Sequence, residues 1–312
     1  MSLPFLQSYL GLSNSLQTAQ GVAIEPSATR GLWAGGYTGA HSNVIDYVTI
    51  ATTGNATDFG DLTAARYGCF PGLASATRGL FAGGTTGAYS NVIDYVTIAT
   101  PSNATDFGDM TTVRGYLGGC ASDTRGLWAG GTTGSVRTNI IDYVTIATTG
   151  NAIDFGDLTV SRNGLAGCAS ATRGVFAGGT TGAYSNVIDY VTIATTGNAT
   201  DFGDITVARQ CFGACASATR GVFGGGEDPM SNVIEYITIA TTGNATDFGD
   251  LSLARYGIGG CASGTRGVFG GGNTGSALSN VIEYITIATT GNATDFGDLS
   301  VVRSELASCA GS

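Results

Sequence analysis

The stretch RGLFAGGTTGAYSNVIDYVTIATPSNATDFGDMTTVRGYLGGCASDT, residues 78–124, decides the fold. It opens on a short apolar run closed by a glycine pair (Arg78 to Gly84) and continues into a longer run rich in Val, Ile, Thr and Tyr (Ser90 to Thr100). It then turns through Pro101 to Ala104 and ends in two further short runs, Thr105 to Arg114 and Gly115 to Ser122. β-branched and aromatic runs of this length, bounded by Gly, Pro, Asn and Ser, are strands and turns. None carries a 3.6-residue apolar stripe, so a helical reading fails. The stretch therefore holds four strands: A (the Cys-Ala-Ser run), B (the Gly-Gly run), C (Ile-Asp-Tyr) and D (Asp-Phe-Gly-Asp).

Outward from this stretch the chain repeats itself. Thr-Arg-Gly-(Leu/Val)-(Phe/Trp) occurs six times, with its arginine at Arg30, Arg78, Arg125, Arg173, Arg220 and Arg266, in steps of 48, 47, 48, 47 and 46 residues. A period of about 40–50 residues made of four strands is that of a propeller blade. Stacking such blades radially buries both faces of each sheet and leaves only short edges. The expected architecture is all-β: a single six-bladed propeller over residues 28–312, with repeats starting near 28, 76, 123, 171, 218 and 264, and an arm over residues 1–27. Strands B, C and D occur six times and strand A seven, because TAQGVAIEPSATR and RSELASCAGS both resemble it. The C-terminal copy keeps the Ser-Cys-Ala pattern, so 303–312 is expected to close the first blade. The arm is then surplus, and its Phe5, Leu6, Tyr9, Leu10, Leu12 and Leu16 form too large an apolar patch for water. It is expected to anchor the propeller to a partner or to strap its own surface.

The repeat resembles the kelch family, in which a glycine pair ends strand B, a Tyr sits in C, a Trp in D and an Arg closes D. The matching residues of the first repeat are Gly35, Gly36, Tyr47, Phe59 and Arg66, and each later copy keeps them. Phe59, Phe107, Phe155, Phe202, Phe248 and Phe296 replace the tryptophan, and the longer Tyr-to-aromatic spacing implies an extended C–D hairpin. The wording IDYVTIATTGNATDFGDL is also similar to repeats in structural proteins of tailed bacteriophages, marine ones in particular. That resemblance implies a virion structural, decoration or tail component, made in the host cytoplasm, whose partners are other virion proteins or copies of itself.

Composition narrows the chemistry. All 13 basic residues are arginine, against 23 acidic ones, for a net charge of −10. Such a surface repels nucleic acid, and no stretch approaches the roughly 18 apolar residues of a membrane span. The first twenty residues show neither the basic nor the apolar region of a secretory signal. Without lysine, the six Asp-Phe-Gly tripeptides do not belong to a kinase. The lone histidine, His41, has no second ligand nearby, so no metal, cofactor or catalytic residue is assigned. Five cysteines share one repeat position, Cys120, Cys168, Cys215, Cys261 and Cys309, and read as buried thiols. Asn-Ala-Thr, present in five repeats, reads as turn chemistry. Asp46, Asp58 and Asp61 with their copies are expected to pair with arginines or cap turns. An enzyme would need convergent ionisable residues that break the repeat, and none is evident.

Alternating strand directions put the A–B and C–D turns on one face and the B–C and D–A connections on the other. The first face is nearly uniform around the ring. The second varies, from YTGAHSN (37–43) to EDPMSN (227–232), and in kelch propellers that face around the channel mouth commonly holds the ligand. Loops on a rigid scaffold are where recognition concentrates. The candidate partner-binding residues are Tyr37, His41, Tyr89, Arg137, Tyr184, Asp228 and Met230, with Tyr67, Tyr116 and Tyr256 nearer the axis. The arginines that close strand D, namely Arg66, Arg114, Arg162, Arg209, Arg255 and Arg303, are expected to ring the channel mouth. Two functions fit: a non-enzymatic structural, assembly or attachment subunit, or an adhesin for a host surface glycan or receptor.

Overall fold

The computed structural model describes residues 30–68 and 72–312. It contains six four-stranded antiparallel sheets and, among the described residues, no helix. The first sheet runs β24 (Ala307–Gly311), β1 (Arg30–Ala34), β2 (Val44–Thr49), β3 (Thr57–Asp61). The C-terminal strand thus closes the first blade, with Leu32 opposite Cys309. The other blades follow in chain order, each from strand A to strand D: β4 (Leu73–Ala74) to β7 (Thr105–Asp109), β8 (Gly118–Ala121) to β11 (Ile153–Asp157), β12 (Ala166–Ala169) to β15 (Thr200–Asp204), β16 (Gly213–Ala216) to β19 (Thr246–Asp250), and β20 (Gly259–Ala262) to β23 (Thr294–Asp298). The arm, with Phe5, Leu6, Tyr9, Leu10, Leu12 and Leu16, lies outside the described residues.

Blades meet through the residues that recur. The apolar clusters lie between neighbours: Leu32, Ile45 and Phe59 of the first blade pack with Phe81, Val96 and Ile98 of the second. Each Cys-Ala-Ser cysteine sits over the Thr-Arg-Gly glycine of the next blade, so that a Cβ on Gly79 would lie 2.9 Å from Cys309 Sγ. The described cysteines are free and buried, and burial pushes the Cys168 thiol up to about 12. Arg30 stacks on Tyr47 at 4.9 Å, Tyr47 meets Phe59 edge-on at 5.8 Å, and the Arg30 guanidinium donates to the Ile98 carbonyl of the next blade. The Arg, Tyr and Phe of the repeat are therefore one stack, held across a blade boundary.

The extended C–D hairpin covers the outer edge of the preceding blade. Gly150 N–H donates to the Phe107 carbonyl, Ala152 N–H to the Asp109 carbonyl, and Asp109 N–H to Asn151 Oδ1. The glycine of Asp-Phe-Gly-Asp exists for this approach: a Cβ on Gly108 would lie 2.5 Å from the Gly150 carbonyl oxygen. The asparagine of Asn-Ala-Thr is accordingly a clamp between blades, not local turn chemistry, and the D edges are paired instead of free.

The pairing expected of the acidic residues holds for one of the three. Among the described residues Asp58 and Asp61 find no ion-pair partner, nor do their copies. Among the described residues every ion pair joins a D-closing arginine to the strand-C carboxylate of the next blade: Arg66–Asp94, Arg114–Asp142, Arg162–Asp189, Arg209–Glu235, Arg255–Glu283 and Arg303–Asp46. All twelve side chains are at most 1% exposed. Arg114 also donates to the Gly130 and Ile140 carbonyls, and Thr111 Oγ1 donates to Asp142. This extra bonding is what lets an ion pair repay its desolvation.

Between the A strands Leu165, Phe212, Ile258 and Leu306, each at most 2% exposed, line a void of about 10 Å³, no more than the space one water needs. Below them the A strands touch, so that a Cβ on Gly167 would lie 2.3 Å from the Gly119 carbonyl oxygen. A cup of about 150 Å³ opens on the uniform face, lined by Ala74, Ala121, Ala169, Ala216, Ala262 and Ala310 and their neighbours.

Candidate functional site

The varied face is organised by a ring that begins two residues after each D-closing arginine. Tyr116 N–H donates to the Gly68 carbonyl, Gly164 to Tyr116, Cys211 to Gly164, Gly257 to Cys211, Glu305 to Gly257, and Gly68 to Glu305, at 2.7–3.1 Å. The cycle closes on itself. All six residues have left-handed backbones, with φ between 53° and 71°. Glycine adopts that conformation freely, whereas a residue with a Cβ does so at a cost of roughly 1–2 kcal/mol. Three positions nevertheless carry side chains, in strict alternation with glycine. Space requires the alternation: a Cβ on Gly257 would lie 2.8 Å from Glu305 N, and one on Gly68 3.2 Å from the Tyr116 ring.

A second circle surrounds the first. The residue after each D-closing arginine bridges to the B–C loop of the next blade: Tyr67 to Thr85, Gly115 to Thr132, Asn163 to Thr180, Gln210 to Glu227, Tyr256 to Asn273 and Ser304 to Tyr37. The D–A and B–C connections therefore share one face. Gln210 Nε2 donates to Glu227 at 2.7 Å, and Arg137 Nε donates to Asn163 Oδ1 at 2.9 Å.

The three ring side chains differ in kind. Tyr116 OH donates to Glu305 Oε2 at 2.8 Å. Burial first, and then the Glu305 charge, push the Tyr116 phenol far above its ordinary value. Burial also raises the Glu305 carboxyl; the Tyr116 hydrogen bond pulls it down, and Glu227 pushes it up again. Burial, Glu227 and Glu305 together hold the Cys211 thiol well up. Tyr89 and Tyr256 are raised by burial first; Tyr67 and Glu305 add to the first, Glu227 and Glu305 to the second. Tyrosines and carboxylates thus share the axial mouth.

The residues singled out in the sequence lie on this face in sectors. Tyr37 is 5.5 Å and His41 4.9 Å from the Tyr67 ring. Tyr89 lies against the third blade, 2.9 Å from where a Cβ on Gly134 would stand. Tyr184 OH donates to Asp228 Oδ2 at 2.9 Å, which with desolvation raises that phenol, and Met230 reaches toward Gly275 of the next blade. Arg66, Arg114, Arg162, Arg209, Arg255 and Arg303 do not ring a channel mouth but are enclosed between blades, each at most 1% exposed, because each must reach its neighbour's strand C. Among the described residues no group of three or more His, Cys, Asp and Glu is arranged to hold a metal.

Cys211, Glu305, Glu227, Gln210 and Asn163 did not stand out in the sequence, and the convergence of Tyr116, Cys211 and Glu305 corrects the expectation that nothing ionisable breaks the repeat. Two signals were present. Cys211 falls outside the Cys-Ala-Ser register, and the pairs following the D-closing arginines run Tyr-Gly, Gly-Tyr, Asn-Gly, Gln-Cys, Tyr-Gly, Ser-Glu, with glycine at alternate second positions. No family model and no curated protein matches this chain.

Proposed function

We propose that this protein is a non-enzymatic attachment or assembly subunit of a virion, a kelch-like propeller that engages its partner through the face bearing the B–C and D–A loops. One observation carries the reading: Arg30, Asp46, Asn55, Arg66 and their copies bond blade to blade, whereas the loops that depart most from the repeat are the B–C and D–A connections of that single face. The Arg114-type clamps, the Arg30-type stacks and the Asn151-type clamps leave little repeated chemistry for a ligand. Tyr37, Tyr67, Tyr89, Tyr256 and Glu305 have no such duty in common. The virion setting comes from the resemblance of IDYVTIATTGNATDFGDL to phage structural repeats, and the apolar arm 1–27 is the second attachment element.

Catalysis is disfavoured by the state of the axial groups. The Cys211 thiol and Tyr116 phenol are both pushed up, chiefly by burial, and among the described residues no cationic group acts on Cys211 to release a thiolate. The density of tyrosines favours a glycan-binding adhesin as the second reading. Co-sedimentation of the purified protein with virions and with host cells tests the first. A Tyr67→Ala/Tyr256→Ala variant that keeps its melting temperature should lose binding, and a glycan array would identify a sugar ligand. Unimpaired binding by that variant would place the interface elsewhere.

A further inference from the structure

The clamps and stacks between blades occupy the repeated arginines, the strand-C carboxylates and the asparagine carbonyls, but they leave the repeated hydroxyls of the C–D hairpins unengaged. In the fourth blade Tyr190 pairs with Thr200, and the hairpin beyond that pair borders a recess of about 380 Å³. Tyr190, Thr192, Thr195, Gly197, Asn198 and Thr200 line it. Small-molecule sites run from roughly 300 to 1,000 Å³, so this recess is large enough for one. It lies on the side of the C–D turns, away from the varied B–C loops.

Neighbouring contacts hold the walls in place. Arg173 stacks on the Tyr190 ring at 4.3 Å, and Phe202 meets that ring edge-on at 5.9 Å. Asn198 Oδ1 accepts from Asp157 N–H of the preceding blade at 3.1 Å, which fixes the side-chain amide and leaves its two Nδ2 hydrogens without a partner among the described residues. The hydroxyls of Thr192, Thr195 and Thr200 are exposed and equally without a partner there. The same residues recur in the first blade as Tyr47, Thr49, Thr52, Asn55 and Thr57, and again in the fifth and sixth. The second blade differs in its turn, at Pro101 and Ser102, and the third carries Ile153 where the others have threonine. Duplication alone does not account for this sameness, because the B–C loops of the same repeats have diverged.

We propose that the C–D hairpin recess binds one sugar unit of a neutral polysaccharide, and that its copies around the rim make the propeller a multivalent polysaccharide-binding disc. The lining decides the ligand class. No charged side chain borders the recess, so nothing there offsets the charge of an ion. An apolar ligand would strand three hydroxyls and an amide away from water. A sugar hydroxyl both donates and accepts, which matches threonine hydroxyls that do both beside an amide that donates. Walls fixed before binding lower the ordering cost of a weak site. Several such sites on one rigid disc then act together on a repeating chain.

The test uses the full chain on surfaces coated with dextran, mannan or galactan, followed by surface plasmon resonance, with methyl glucoside, methyl mannoside and methyl galactoside as soluble competitors. Retention is expected on at least one coat, about a hundredfold tighter than the matching methyl glycoside competes, the gain that linked weak sites provide. Thr195→Val, made together with the same change at Thr52, Thr100, Thr148, Thr241 and Thr289, removes one hydroxyl from every hairpin at nearly constant volume and should abolish retention. Should that variant not fold, Ile153→Thr supplies the hydroxyl missing from the third blade and should strengthen retention about threefold. The inference is overturned by absence of retention on all three coats, by competition as strong as retention, by a folded six-site variant that binds like the wild type, or by indifference to Ile153→Thr. Binding to virions or cells that depends on Tyr67 and Tyr256 reads the opposite face, so either reading can fail while the other stands.

Discussion

The blade interface and the axial ring solve neighbouring problems by opposite means. At the interface, one arginine and one carboxylate recur six times, enclosed and bonded to carbonyls of the next blade. Repetition there supplies rigidity. At the axis the backbone still repeats, through six hydrogen bonds in a closed cycle, but the side chains run Gly, Tyr, Gly, Cys, Gly, Glu. Three of them occupy a left-handed backbone that glycine would adopt without strain. Strain retained beside a stable scaffold is the pattern of a functional site. The difference teaches where to look in a repeat protein: at the positions that depart from the repeat while its backbone persists.

The largest effect should come from breaking the scaffold side of this contrast. Deleting residues 303–312 removes β24, exposes the edge of β1 and takes away the Arg303–Asp46 clamp. An open blade edge invites pairing with other chains, so the truncated protein is expected to aggregate or fail to fold, as read by light scattering and circular dichroism. A truncated protein that melts like the full chain would refute closure by this strand.

Next in size is a single clamp. Arg114→Met leaves Asp142 buried without its cation, which is expected to cost about 3–5 kcal/mol in denaturant unfolding. Adding Asp142→Leu should recover much of that loss, since apolar replacements of both partners are often neutral. If the single variant is as stable as the wild type, the six clamps are not what holds the blades. Smaller again is Asn103→Ala, which removes the acceptor for Asp61 N–H at 3.1 Å. The expected loss is about 0.5–1.5 kcal/mol, measurable as a lower midpoint in urea with an unchanged slope.

The two regions also differ in how far the sequence reveals them. The period of Arg30, Arg78 and their copies announces six blades, and RSELASCAGS announces closure, because repetition makes the local pattern and the global fold agree. The buried destination of Arg66 and its copies was less legible. An arginine reads as a surface residue, and its partner lies in another blade, about 28 residues away for Asp94. Asn55 suffered the same limit: its own loop looks self-sufficient, while its side chain serves Asp298 N–H 243 positions along the chain. Cys211 and Glu305 were hardest, since their meeting depends on a ring that only six connected blades create.

The smallest effect is the most diagnostic of the axial ring, because its sign opposes that of the clamps. Neutralising a clamp carboxylate, as in Asp142→Asn, should destabilise the protein at neutral pH by breaking a buried ion pair. Glu305 should behave in the opposite way. Its carboxyl is raised above the ordinary 4.5, chiefly by burial and then, against the Tyr116 bond, by Glu227. A carboxyl raised on folding contributes its stability in full below the unfolded value and loses it as pH rises through the folded one. At about pH 8 the wild type therefore carries the cost of a charged, half-enclosed carboxylate, which Glu305→Gln removes while its amide oxygen still accepts from Tyr116. The variant is expected to melt above the wild type there, and the difference should shrink to nothing as pH falls below about 4, where the wild-type carboxyl is protonated in both states. Scanning calorimetry across that range measures it. A variant that melts below the wild type at neutral pH would mean that Glu305 is stabilised by a positive neighbour, and the contrast between clamp and ring would collapse.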